Sequence, residues 1–156
     1  HADDDGGDDF DDDADDGVDR NKEKPMLTKT IYNLESNVLI KALLPLTVRD
    51  LSDVLLRAIE EPVINYWAHG MQATNSVDGS PTEIVLIEDH DLHSITLTVD
   101  RIRQTLEHIL VTGMELNSRT RNSIRDAVSD QCLGYIDSDD VDAIIQLACF
   151  GYLKYA

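Results

Sequence analysis

Glu83-Ile84-Val85-Leu86-Ile87-Glu88, then Asp89-His90-Asp91, then Leu92-His93-Ser94-Ile95-Thr96-Leu97, is the stretch that decides the fold. Two runs rich in β-branched residues flank three turn formers, which predicts an antiparallel hairpin. Upstream, the apolar run through Val63, Ile64, Tyr66 and Trp67 reads as a third strand. Between them, His69 to Pro81 is polar and contains glycine, so it reads as a loop. Downstream, Thr98 caps a helix whose apolar face is Val99, Ile102, Leu106, Ile109 and Leu110, and Gly113 ends it.

The rest of the chain is helical in pattern. Leu27, Ile31, Leu34 and Val38 suit one helix face, and Pro45 stops that segment. Thr47 with Asp50 three residues on resembles a capping box, before the stripe Leu51, Val54, Leu55, Ala58 and Ile59. A shorter helix over 117–129 turns Ile124 and Val128 inward. The last helix starts in the run Asp137–Asp140, buries Val141, Ile144, Ile145, Ala148 and Cys149, and closes at Gly151. The expected class is α+β: a small three-stranded antiparallel sheet packed with four to five helices over residues 26–156.

Charge divides the chain differently. It has 156 residues and a formal net charge of −18. Residues 1–25 hold twelve acids and three bases, so a sixth of the length carries half the net charge. With eleven Asp, three Gly and Phe10 as the one aromatic, this leader cannot bury enough apolar area to offset its ordering entropy, and it reads as a disordered tail. Direct binding to nucleic acid is not expected of so acidic a chain. No apolar run reaches the roughly 18 residues of a membrane span, and residues 1–25 do not resemble a secretory signal. Cys132 and Cys149 read as reduced, buried thiols of a cytoplasmic protein.

Several short motifs recur together: Ala58-Ile59-Glu60-Glu61, Asn65-Tyr66-Trp67, Leu97-Thr98-Val99-Asp100-Arg101-Ile102, and Asp139-Asp140-Val141-Asp142-Ala143-Ile144-Ile145-Gln146-Leu147 with Phe150-Gly151. Over roughly residues 50–155 this set resembles an uncharacterised family of small accessory proteins from tailed-phage genomes. The family's glycine pair before the Tyr-Trp segment is replaced here by Glu61-Pro62. The resemblance implies a setting, a phage-encoded protein in the host cytoplasm, more than a mechanism, since the family has no established activity to carry over.

Catalytic patterns are missing: there is no G-x-S-x-G, P-loop or G-x-G-x-x-G, and no cofactor is expected. Asp137, Asp139, Asp140 and Asp142 fail as a calcium loop, since positions 6 and 12 hold Asp142 and Ala148. They suit the positive end of the last helix dipole. Asp89, His90, Asp91 and His93 are a His/carboxylate cluster of zinc or manganese type that lacks a third ligand at suitable spacing, so a plain turn is expected. Tyr66 and Trp67 read as a strand pair with one ring in the core. Phe150, Tyr152 and Tyr155 form an aromatic chain end suited to a homo-oligomer contact.

Charge is therefore the property left to work with. The interaction candidates are Asp3, Asp4, Asp5, Asp8, Asp9, Phe10, Asp11, Asp12 and Asp13 in the tail, with Asp137, Asp139, Asp140 and Asp142 in the body. Arg101, Arg103, Arg119, Arg121 and Arg125 form a basic patch on which the tail could dock. The expected function is a non-enzymatic protein that meets a basic, nucleic-acid-binding host protein by acidic mimicry. The alternatives are an acidic chain adapted to high salt, with only five Lys against 23 Asp, and a virion or assembly component.

Overall fold

The computed structural model describes residues 39–41, 43, 45–112 and 116–155. The tail read as disordered, its carboxylates and Phe10, most of the helical segment read from Met26 to Leu44, and the stop at Gly113 lie outside the described residues; residues 39–41 and 43 of that segment are helical. Helix α1 (Val48–Glu60) begins at Thr47, whose hydroxyl accepts from the Asp50 amide while the Asp50 carboxylate accepts from the Thr47 amide. That reciprocal box satisfies two of the amides a helix start leaves open. Leu51, Val54, Leu55 and Ala58 then fall on one face, and all are buried.

The chain next makes a compact turn over 61–67 and enters strand β1 (Ala68–Asn75). This corrects two expectations: Val63–Trp67 is a turn, and the polar stretch after it is the strand. The physical reason lies in the spacing of the buried residues. Ile64 and Trp67 are the two buried side chains of the turn, three apart, and the amides of Trp67 and Ala68 both donate to the Ile64 carbonyl, each at 2.9 Å. That is a helical-type turn plugging the core, and its apolar residues mimic a strand only in composition. Conversely, β1 is an edge strand exposed over most of its length, so it needs no apolar alternation.

Strands β2 (Pro81–Glu88) and β3 (Ser94–Thr98) form the hairpin read from the sequence. The sheet has the order β1-β2-β3 and is antiparallel throughout, with Ala68 opposite Glu88 and Ile87 opposite Ser94. In β2, Ile84, Leu86 and Glu88 point to the covered face. Helix α1 crosses β1 closely at Gly70: a Cβ there would stand 2.5 Å from Leu86 Cδ2 and 2.9 Å from Ile59 Cγ2, so only glycine fits without movement.

Helices α2 (Val99–Thr112), α3 (Ser118–Ser129) and α4 (Ser138–Phe150) close the core, with a short 3-10 turn at Leu133–Tyr135. Thr98 Oγ1 accepts from the Arg101 amide at the start of α2, as its capping role requires. Ile102, Leu106 and Ile109 of α2 meet Val141, Ile144 and Ile145 of α4 in one cluster with Leu55, Ile64, Trp67, Ile84 and Leu86. Burying each large aliphatic chain contributes about 1.5–3 kcal/mol relative to exposure. Gly151 ends α4 in the left-handed conformation, φ 82°, which glycine adopts without a Cβ clash. The architecture is α+β, a three-stranded antiparallel sheet packed with helices, as the sequence led one to expect of the class.

Candidate functional site

The polar chemistry of the body collects at one end of the sheet, around Glu88. Parity along β2 puts this carboxylate on the same face as Ile84 and Leu86, and its side chain is 1% exposed. A charge so buried must be paired. The Lys154 ammonium lies 2.5 Å from Oε1, and the Tyr155 hydroxyl donates to the same oxygen. The bond from Lys154 is the main cause holding the Glu88 carboxyl below its ordinary value of 4.5, with Tyr155 second. The same ammonium lies 3.5 Å from Asp91 Oδ2. His93 Nδ1 stands 3.7 Å from Glu88 Oε2.

The hairpin loop is built to face this group. The Glu88 amide donates to the His93 carbonyl and the Leu92 amide to the Glu88 carbonyl, so Glu88 and His93 close the loop as an opposed pair. Leu92 takes φ 57°, a left-handed conformation that costs a leucine on the order of 1–2 kcal/mol. Asp89 points elsewhere: its carboxylate pairs with His69 Nδ1 at 2.8 Å. His90 is exposed. The structure thus divides the His/carboxylate cluster of the sequence, keeping Asp91 and His93 and adding Glu88.

A second polar centre lies on α4. Asp142 accepts from the Trp67 indole at 2.9 Å and from the Tyr66 hydroxyl at 2.6 Å. Desolvation, then that acceptor, pushes the Tyr66 phenol well above its usual range. Gln146, 1% exposed, donates to Asp142, to the Tyr66 hydroxyl and to the Tyr155 carbonyl, and accepts from the Tyr155 amide at 2.7 Å. Tyr155 also stacks on Trp67, ring centroids 5.2 Å apart and 12° from parallel. Residues 151–155 are therefore strapped to the body through Tyr155, which joins both polar centres. Lys154 additionally sits 4.9 Å over the Phe150 ring.

The remaining candidates divide as follows. Asp137 and Asp140 form the capping box of α4, and Arg119 pairs with Asp137 at 2.5 Å. Asp140 is fully buried and accepts from the Ser123 hydroxyl at 2.6 Å. Asp139 is exposed. Of the four, Asp137 and Asp140 build the fold, Asp142 anchors Trp67, and Asp139 faces solvent.

The basic patch is partly committed. Arg101 Nε donates to the Ala148 carbonyl at 2.9 Å, and Arg103 donates to the Leu43 and Leu46 carbonyls at 2.5 and 2.7 Å. Arg121 and Arg125 are half-buried on α3. Among the chain-end aromatics, Phe150 and Tyr155 pack on this chain's own Trp67, while Tyr152 is 50% exposed. Cys132 and Cys149 are free and half-buried, where fully buried thiols were expected. Burial pushes the Cys149 thiol up to about 12.

Sequence reading missed Glu88, Lys154, Gln146 and Arg57. Glu88 carried a usable signal, since it shares parity with Ile84 and Leu86. Gln146 stood out as a lone amide among apolar neighbours in the last helix. Lys154 and Arg57 carried none. Arg57 binds Glu61 through both oxygens and donates to the Ile136 carbonyl at 2.6 Å, tying α1 to the loop before α4. No family model matches the chain, and comparisons with curated proteins and with solved structures found no match. No helix among the described residues is long and apolar enough to cross a membrane.

Proposed function

We propose that this chain is a non-enzymatic interaction protein whose acidity is its working property. It meets a basic, nucleic-acid-binding protein in the cytoplasm of a host cell and inhibits or redirects it, in the phage setting that its resemblance implies. One observation supports the reading best. Among the described residues, Arg57, Arg101, Arg103, Arg119 and Lys154 each bond to this chain's own oxygens. Asp53, Glu60, Asp100, Asp126, Asp130 and Asp139 meanwhile stand exposed. Bonds to the body's own oxygens offset these cations, and the exposed carboxylates present the charge that a phosphate-binding groove is built to neutralise.

The test is affinity capture from host lysate at low salt, followed by competition with duplex DNA. A captured nucleic-acid-binding protein released by DNA supports mimicry. Capture insensitive to DNA contradicts it. Unfolding of the free chain when multimolar KCl is withdrawn would instead favour adaptation to high salt. Recovery in purified particles by mass spectrometry would favour a virion role.

A further inference from the structure

We propose that Glu88, Asp91 and His93 form a binding site for a divalent first-row transition metal ion, for which the Lys154 ammonium is the resident competitor. The site lies apart from the exposed carboxylates invoked above, so it stands or falls separately from the interaction reading.

One ligand atom from each of the three residues lies within 4.8 Å of the others. The Glu88 Oε2 to His93 Nδ1 distance, 3.7 Å, is too long for a direct hydrogen bond. It is close to the separation of about 3.3 Å that two ligands adopt on a tetrahedral ion with bonds of about 2.0–2.1 Å. The geometry is fixed by backbone, since Glu88 and His93 are the closing pair of the hairpin and Leu92 at φ 57° reverses the chain between Asp91 and His93.

Two further observations point to a cation here. Glu88 is a carboxylate with a 1% exposed side chain, and a positive group already stands against it: the Lys154 ammonium, 2.5 Å from Glu88 and 3.5 Å from Asp91. The Tyr155 hydroxyl donates to Glu88 Oε1, the kind of outer hydrogen bond that orients a ligating carboxylate. Lys154 is 29% exposed, so its flexible stem has a short way out to water when an ion of twice the charge takes its place. One imidazole nitrogen and two carboxylate oxygens suit zinc or manganese better than calcium or magnesium, which select all-oxygen shells. Three protein ligands leave a fourth position for water.

The experiment is titration of the full chain with zinc chloride by calorimetry, alongside His93→Ala, Asp91→Asn, Lys154→Met and the control His69→Ala. His93 is 72% exposed, so its alanine variant keeps the fold. The expected result is one equivalent of zinc bound by the parent and by His69→Ala, at least tenfold weaker in His93→Ala and Asp91→Asn, and severalfold tighter in Lys154→Met. Calcium gives no such equivalent. Zinc also shifts the His93 ring resonances in the parent. Failure of the parent to bind, or equal binding by parent and His93→Ala, overturns the site. Equal binding by parent and Lys154→Met overturns the competition.

Discussion

Gln146→Leu isolates the strap that holds the chain end. The change keeps side-chain volume roughly constant, so it removes the amide while leaving little cavity. Gln146 makes two hydrogen bonds to the Tyr155 backbone, accepting at 2.7 Å and donating at 3.1 Å. Its other partners keep each other: Tyr66 still donates to Asp142, and Asp142 still accepts from Trp67. The donations to Asp142 and the Tyr66 hydroxyl are lost as well, so the two Tyr155 bonds set a lower bound. At about 1 kcal/mol net each, the variant loses at least about 2 kcal/mol of stability. Urea denaturation reads that number as a lower midpoint at unchanged slope. Hydrogen exchange locates it, because the Tyr155 amide loses its acceptor and exchanges faster, while amides of α2 fall only with global stability. Unchanged protection at Tyr155 in the variant would refute the strap.

Three further outcomes follow. Gly70→Ala brings a Cβ to 2.5 Å from Leu86 Cδ2 and 3.2 Å from the Val85 carbonyl, and overpacking of this kind destabilises by about 1–3 kcal/mol in chemical denaturation. Glu88→Gln destabilises at neutral pH. Because Lys154 and Tyr155 lower the folded carboxyl below 4.5, that stabilisation is full above 4.5 and drains away as pH falls through the folded value. The parent and variant unfolding midpoints accordingly converge on acidification, and a constant gap down to pH 2 would contradict the assignment. Cys149, its thiol held up to about 12 by burial, is unmodified by iodoacetamide in the folded state at pH 8 and reacts once the chain unfolds. Labelling mapped by mass spectrometry checks it.

What the sequence revealed, and where it misled, follows from how burial writes itself into residue type. The hairpin was legible because two runs rich in β-branched residues flank Asp89-His90-Asp91, which cannot continue a strand. The cap at Thr47 was legible because a short polar side chain followed three residues later by an acid has one common structural use, and the acidic start of α4 because acids suit the positive end of a helix dipole. β1 was not, since an edge strand solvated over most of its length carries no apolar pattern. The turn at 61–67 misled because Ile64 and Trp67 enter the core from an irregular segment.

Site residues followed the same logic. Asp91 and His93 drew notice as residue types, whereas Glu88 was read only as the last residue of a strand run. Only its parity with Leu86 and the arrival of Lys154, 66 residues later, make it a buried ion pair. Pairing over that separation leaves no periodic trace. The division of Asp137, Asp139, Asp140 and Asp142 into caps, an anchor and an exposed carboxylate likewise depends on what α3 and the 61–67 turn bring beside α4.

The interaction reading meets its most direct test in the salt dependence of the complex with the captured partner. The dissociation constant is measured across about 50 to 500 mM KCl, a range over which released counterions dominate binding to a phosphate-neutralising groove. The account predicts a steep linear rise of log Kd with log salt, and loss of the complex when duplex DNA is added. A flat salt profile, with the complex intact in the presence of DNA, would contradict it.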